Sequence, residues 1–142
     1  MNSKEFLDIL HVAERLKDTP RHCTTSKGRV ESVAEHSWRI SLMAFLLRDE
    51  FPQIDIDKVI SMCIIHDLGE CFTGDIPTFK KTNIDREKED SLLYDWINNL
   101  PKNVSKEMKA LFRVNAIPLS KLQIPLIAIS HTYADLGSFI PK

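Results

Sequence analysis

The chain has 142 residues and a formal charge of −1, with 43% hydrophobic and 27% charged residues, four Gly and seven Pro. This composition excludes a disordered, collagen-like or disulfide-dense chain. The balance of 19 basic against 20 acidic residues gives no surplus to neutralise a nucleic-acid backbone, so no nucleic-acid partner is expected. The length is that of a single domain, 1–142, able to bury about two-thirds of its unfolded surface. No apolar run approaches the ~20 residues that span a bilayer, so no membrane partner is expected either. The N-terminus MNSKEFLDIL has acidic residues where a secretory leader needs a basic and then an apolar stretch. Cys23, Cys63 and Cys71 are odd in number and lack metal-finger spacing, which reads as packed, reduced thiols in a cytoplasmic protein.

The periodicity is helical almost throughout. Phe6, Ile9, Leu10, Ala13 and Leu16 recur at helical spacing and predict a first amphipathic helix over 3–17, stopped by Pro20. Residues 20–32 are polar, carry Gly28, and read as a loop. Ser32 then opens S-x-x-E with Glu35, a capping box at a helix start. The helix it opens carries Trp38, Leu42, Phe45 and Leu46 on one apolar stripe, expected to face the core, and ends near Phe51-Pro52. His36 falls in its first turn.

Asp55 is placed to cap a third helix, whose centre from Val59 to Ile65 is apolar nearly all round. A buried strand is the alternative for so short a run, but no second strand is evident to pair with it. His66-Asp67 closes this segment, and Gly69 is a candidate C-cap. Residues 71–84 read as a loop. The stretch 85–100 reads as a helix with a charged opening, DREKED, and an apolar stripe that includes Trp96; Pro101 ends it. A short helix follows over 104–113. The tail 117–142 is apolar but broken by Pro118, Pro125 and Pro141.

His66 and Asp67 are the chemical centre of this pattern. Imidazole nitrogen and carboxylate oxygen both bind divalent metals. Adjacent helical residues point about 100° apart and do not chelate mid-helix, but a metal over the last turn is reachable by both. A third ligand must come from elsewhere. His36 qualifies, because two antiparallel helices bring the start of one beside the end of the next. Glu70 and Asp75 follow just downstream. An isolated H-D pair is more often a core histidine with a hydrogen-bonded neighbour. His36, His66, Asp67, Glu70 and Asp75 together, not the pair alone, point to a metal.

Four motifs occur in order: Leu16-Lys17-Asp18-Thr19-Pro20-Arg21, Glu31-Ser32-Val33-Ala34-Glu35-His36-Ser37-Trp38-Arg39, Ile65-His66-Asp67-Leu68-Gly69-Glu70, and Thr73-Gly74-Asp75-Ile76-Pro77. With them the chain resembles the HD-domain metal-dependent phosphohydrolases, and within these the 5′-deoxynucleotidase branch. The resemblance implies an all-α HD-domain helical bundle around one divalent metal ion; Mn, Co, Mg, Zn, Fe and Ni are not distinguished. It implies metal ligands at His36, His66 and Asp67, catalytic carboxylates at Glu70 and Asp75, and a substrate-contacting Arg21. It further implies a small-molecule nucleotide substrate, a deoxyribonucleoside 5′-monophosphate, and a homodimer. His22, beside Arg21, is the best placed of the remaining histidines, ahead of His11 and His131.

The family expects a second metal-binding Asp on a later helix. In register that position is Gln123, a neutral amide that brings no negative charge to a cation. Asp135 is acidic but out of register. The chain is expected to be short or divergent at its C-terminal end relative to this family. Two readings stay open: a phosphohydrolase, or a catalytically impaired nucleotide-binding or interaction protein lacking the fourth ligand.

Overall fold

The computed structural model describes residues 1–77 and 79–115. The elements run α1 (Ser3–Glu14), β1 (Pro20–Thr24), β2 (Val30–Ser32), α2 (Val33–Leu46), α3 (Ile56–Ile65), α4 (Glu70–Thr73), α5 (Asn83–Asn98) and α6 (Lys102–Asn115). The architecture is the expected helical one with a small two-stranded sheet added. Gln123, His131 and Asp135 lie outside the described residues.

Asn2 caps α1 in a full capping box with Glu5, and a 3₁₀ turn over Arg15–Lys17 continues it. Together they cover the expected 3–17. Leu16 on that turn is buried, whereas Phe6 and Leu10 are about half exposed.

The segment 20–32 is not the expected loop. It folds into an antiparallel hairpin with Pro20 opposite Ser32 and Thr24 opposite Val30. Gly28, at φ +80°, closes the turn in the left-handed region that glycine tolerates. Alternation is present, but its inward residues are Arg21 and Cys23 on β1 and Glu31 on β2. A search for alternating apolar residues is blind to a strand pair whose inner face is charged.

The face of α2 that meets the core also differs from the expected one. Trp38 is 66% exposed and Leu46 68%, with Leu42 and Phe45 exposed as well. The buried face is Val33, His36, Ser37, Ile40 and Ala44. Both faces have helical spacing, and the one with smaller residues lies inward because it lets α2 approach α3 closely. Trp96 on α5 does pack against the core, half-buried.

Asp55 caps α3 as expected, accepting from the Lys58 amide at 3.1 Å. The segment is a helix, not a strand. It ends at Ile65 with His66 as its cap residue. Gly69 is not a left-handed C-cap; its φ of −59° leads into α4. That short helix occupies part of the expected 71–84 loop. A Thr82–Asp85 capping box starts α5 slightly earlier than expected.

Ile40, Ala44, Val59, Met62 and Cys63 form one buried cluster between α2 and α3. A second joins Leu16, Val33, Ile65 and Leu68 to Leu93, Ile97 and Phe112 of α5 and α6. Where the two meet, the start of α2 lies beside the end of α3.

Candidate metal centre

His36 is held by the cap that precedes it. The Ser32 hydroxyl accepts from the Glu35 amide at 3.3 Å, and a Glu35 carboxylate oxygen accepts from the Ser32 amide at 2.9 Å. Arg29 donates to both Glu35 oxygens. Arg29 and then the Ser32 amide pull the Glu35 carboxyl down to about 2. With the first turn pinned, His36 points inward and is wholly buried.

His66 occupies the end of α3. Its Nδ1 lies 2.8 Å from the Cys63 carbonyl oxygen. A carbonyl can only accept, so Nδ1 carries the proton and donates it. That leaves Nε2 facing inward and buried, toward the Asp67 carboxylate. Asp67 Oδ2 stands 2.9 Å from His66 Nε2 and 3.8 Å from His36 Nε2. The two imidazole centroids are 5.4 Å apart, tilted by 56°. One donor atom from each of the three residues lies within 4.8 Å of the others.

These residues fit a divalent cation. Metal–ligand distances of about 2.0–2.2 Å put neighbouring donors about 3 Å apart, the spacing seen between His66 and Asp67. A nitrogen lone pair and a carboxylate oxygen at 2.9 Å repel each other unless positive charge sits between them. Without a metal that charge is a proton. Burial opposes it, but Asp67 and the Cys63 carbonyl prevail and raise the His66 imidazole. Burial likewise penalises the Asp67 carboxylate, yet His66, then His36 and Arg21, hold it down to about 2.

Arg21 on β1 reaches the same carboxylate. Its side chain is 5% exposed, with Nη1 3.6 Å from Asp67 Oδ2 and Nε 4.0 Å from Glu31 Oε2. Glu70 opens α4, one turn past His66-Asp67. It is buried, and its Oε2 has no hydrogen-bond partner. Burial, then the neighbouring Asp67, Asp75 and Glu89 carboxylates, push it up to about 9 against the opposing pull of Lys81. Asp75 follows Gly74, whose φ of +78° turns the chain. The Asp75 side chain is 7% exposed, and its Oδ2 lies 3.5 Å from His22 Nδ1. The structure therefore brings all six singled-out residues, Arg21, His36, His66, Asp67, Glu70 and Asp75, to one region. His22 joins them through Asp75, while His11 is exposed on α1.

Two further charges escaped the sequence reading. Lys81 Nζ and Glu89 Oε2 form an ion pair at 2.6 Å, with side chains only 13% and 15% exposed. Thr73 also donates to Glu89 at 3.2 Å. Glu89 sits within the run DREKED, which reads as a solvated helix opening. It is largely covered because α5 crosses α4 where Gly69 has no side chain: a Cβ there would stand 2.6 Å from Glu89 Cγ. Gly69→Ala is therefore expected to cost about 1–3 kcal/mol in urea unfolding, because it drives Glu89 off its seat. Adding Glu89→Ser should recover most of that loss. Equal losses in both backgrounds would mean the clash lies elsewhere.

The sequence profile described as HD domain matches residues 13–114. The 5′-deoxynucleotidase HDDC2 of Homo sapiens is 28% identical over 116 residues, which cover 78% of this chain and 55% of that protein. The Mus musculus 5′-deoxynucleotidase HDDC2 is 30% identical over 113 residues, covering 75% of this chain and 55% of its own length. The chain thus spans about half the length of these curated relatives. Among solved structures, a predicted metal-dependent phosphohydrolase from Magnetospirillum magnetotacticum MS-1 superposes with a TM-score of 0.67 at 30% identity, covering 78% of this chain and 58% of that one. A conserved hypothetical protein from Pyrococcus furiosus gives 0.64 at 32% identity, covering 90% and 73%. The family match spans most of the chain and includes the His36, His66 and Asp67 cluster: the chain belongs to the HD-domain family.

Proposed function

We propose that this chain is a metal-dependent phosphohydrolase that releases phosphate from nucleoside 5′-monophosphates, with deoxyribonucleotides as its substrate class. The observation that carries this reading is the convergence on Asp67 Oδ2 of His66 at 2.9 Å, His36 at 3.8 Å and the Arg21 guanidinium at 3.6 Å. Two imidazoles and one carboxylate suit a divalent cation, and a guanidinium at the same carboxylate suits the phosphate that the cation would meet. The deoxynucleotidase names of the relatives support the substrate class.

His36, His66 and Asp67 would hold the metal. When bound, a divalent cation polarises a phosphoryl oxygen and makes water a competent nucleophile near neutral pH. Arg21 binds the phosphate through its planar donor fork and offsets its negative charge. Glu70 moves the proton of the attacking water at Oε2, the oxygen that no protein group occupies. Asp75, paired with His22, is the second carboxylate of the site and serves the leaving 5′ oxygen.

Purified protein titrated with Mn²⁺ or Co²⁺ and assayed for phosphate release from dAMP and the other monophosphates tests this directly. The expected result is one ion per chain and release that chelator abolishes. Gln123 at the register of the expected fourth ligand favours a second reading, a nucleotide binder without turnover. Stoichiometric metal and nucleotide binding with no release from any monophosphate would establish that reading instead.

A further inference from the structure

Glu31 on β2 is a buried carboxylate for which the metal chemistry has no use. Its side chain is 6% exposed, and charges from two other elements surround it. Arg39 of α2 approaches Oε1 at 3.2 Å and donates to Oε2 at 3.4 Å. The Cys23 thiol of β1 donates to Oε2 at 3.2 Å. Arg21 presents Nε to that same oxygen at 4.0 Å. Both oxygens are engaged, and the carboxylate is tied to β1 and to the second turn of α2 at once.

The position of Arg21 follows from this. A guanidinium with a side chain only 5% exposed needs negative charge nearby, and it has two carboxylates, Glu31 behind Nε and Asp67 beyond Nη1. Neither is at hydrogen-bond distance, and the buried Nε has no hydrogen-bond partner. Charge from the two carboxylates holds the guanidinium in place, and Nε keeps its hydrogen-bonding capacity. That is the state a phosphate-binding arginine needs, because an anion then finds an oriented cation with bonds still to make.

We propose that Glu31 is a positioning residue for Arg21: anchored by Arg39 and Cys23, it fixes the guanidinium beside Asp67, where an anionic phosphate meets it. The inference rests on the phosphate-binding role given to Arg21 above. A carboxylate that acted only on stability would alter folding and metal binding without selecting the anion.

The test is a double-mutant cycle read by calorimetric titration of inorganic phosphate into Mn²⁺-loaded protein, with KM and kcat for dAMP measured in parallel. Glu31→Gln is expected to weaken phosphate binding about 10–50-fold and to raise KM alike. It should change kcat and Mn²⁺ affinity by less than about threefold, the pattern of lost uniform binding. Glu31→Asp keeps the charge but withdraws it by one methylene, and should fall between Gln and wild type. It carries the cycle if the Gln variant does not fold. In an Arg21→Ala background the Glu31 substitution should add less than about twofold, because its effect passes through the arginine.

Phosphate affinity within about twofold of wild type in Glu31→Gln overturns the proposal, as does an equal loss with and without Arg21. Absence of phosphate binding in the wild type overturns it too. If the wild type binds phosphate but hydrolyses no monophosphate, the hydrolytic reading fails while the binding cycle still decides the role of Glu31.

Discussion

Asp67→Asn is expected to abolish stoichiometric divalent-metal binding and to lower phosphate release from dAMP by at least about a hundredfold, since even outer partners of metal ligands are worth 10–100-fold. The substitution removes one oxygen charge at the point where His66, His36 and Arg21 converge. An amide of the same shape offers the imidazoles no negative partner and leaves the buried Arg21 facing Glu31 alone. A stability signature accompanies the loss in metal-free protein. Asp67 is depressed from 3.8 to about 2, so its contribution is present above its unfolded value and is lost as pH falls through about 2. A depression of that size corresponds to about 2 kcal/mol. Urea unfolding should therefore separate wild type from Asp67→Asn by about that amount at pH 5, with the gap closing toward pH 2. Mn²⁺ affinity within about threefold of wild type in the variant would remove Asp67 from the centre altogether.

The legible and illegible parts of this site divide along a physical line. His36, His66 and Asp67 were readable because each is placed by a local rule. A capping box sets the first turn of α2, an apolar run sets the length of α3, and the dipeptide stands where that helix ends. One long-range assumption, that α2 and α3 pack antiparallel, then joins them. Glu70 and Asp75 inherit their positions from the same helix end. Glu89 and Lys81 had no such help. Their burial depends on α5 crossing α4 over Gly69, a contact that leaves no periodic trace in a charged stretch. The hairpin was missed for a related reason: Arg21 and Glu31 alternate inward as residues of a buried strand do, but as charges. On α2 the error was one of choice between two apolar faces. Size pointed to Trp38 and Phe45, whereas close packing selected Ile40 and Ala44. Sequence patterns report which residues avoid water in isolation. They do not report which charges a tertiary arrangement makes useful to bury.

Glu70→Gln sets function against stability and should move the two in opposite directions. Phosphate release is expected to fall about 10²–10⁴-fold, the usual worth of a positioned acid–base group, while metal affinity changes little because Glu70 is not among the three clustered donors. In metal-free protein the same change should stabilise the fold. Burial and the Asp67, Asp75 and Glu89 carboxylates raise Glu70 from 4.5 to about 9. A raised carboxyl means that the folded state holds a proton which the unfolded state releases. Wild-type stability is therefore greatest below the unfolded value near 4.5 and declines as pH rises through about 9. Glutamine has no proton to lose, so the variant escapes this decline. At pH 8 its Tm should exceed that of wild type by about 5 °C, and the difference should shrink toward pH 5. Adding Mn²⁺ should narrow the gap at pH 8, because positive charge at the triad favours ionised Glu70. Parallel Tm curves across pH 5–9 would show that Glu70 titrates as an ordinary carboxyl, and activity within about fivefold of wild type would take it out of the reaction. The opposed pair of outcomes is what separates a carboxylate kept in an unfavourable place for chemistry from one merely tolerated there.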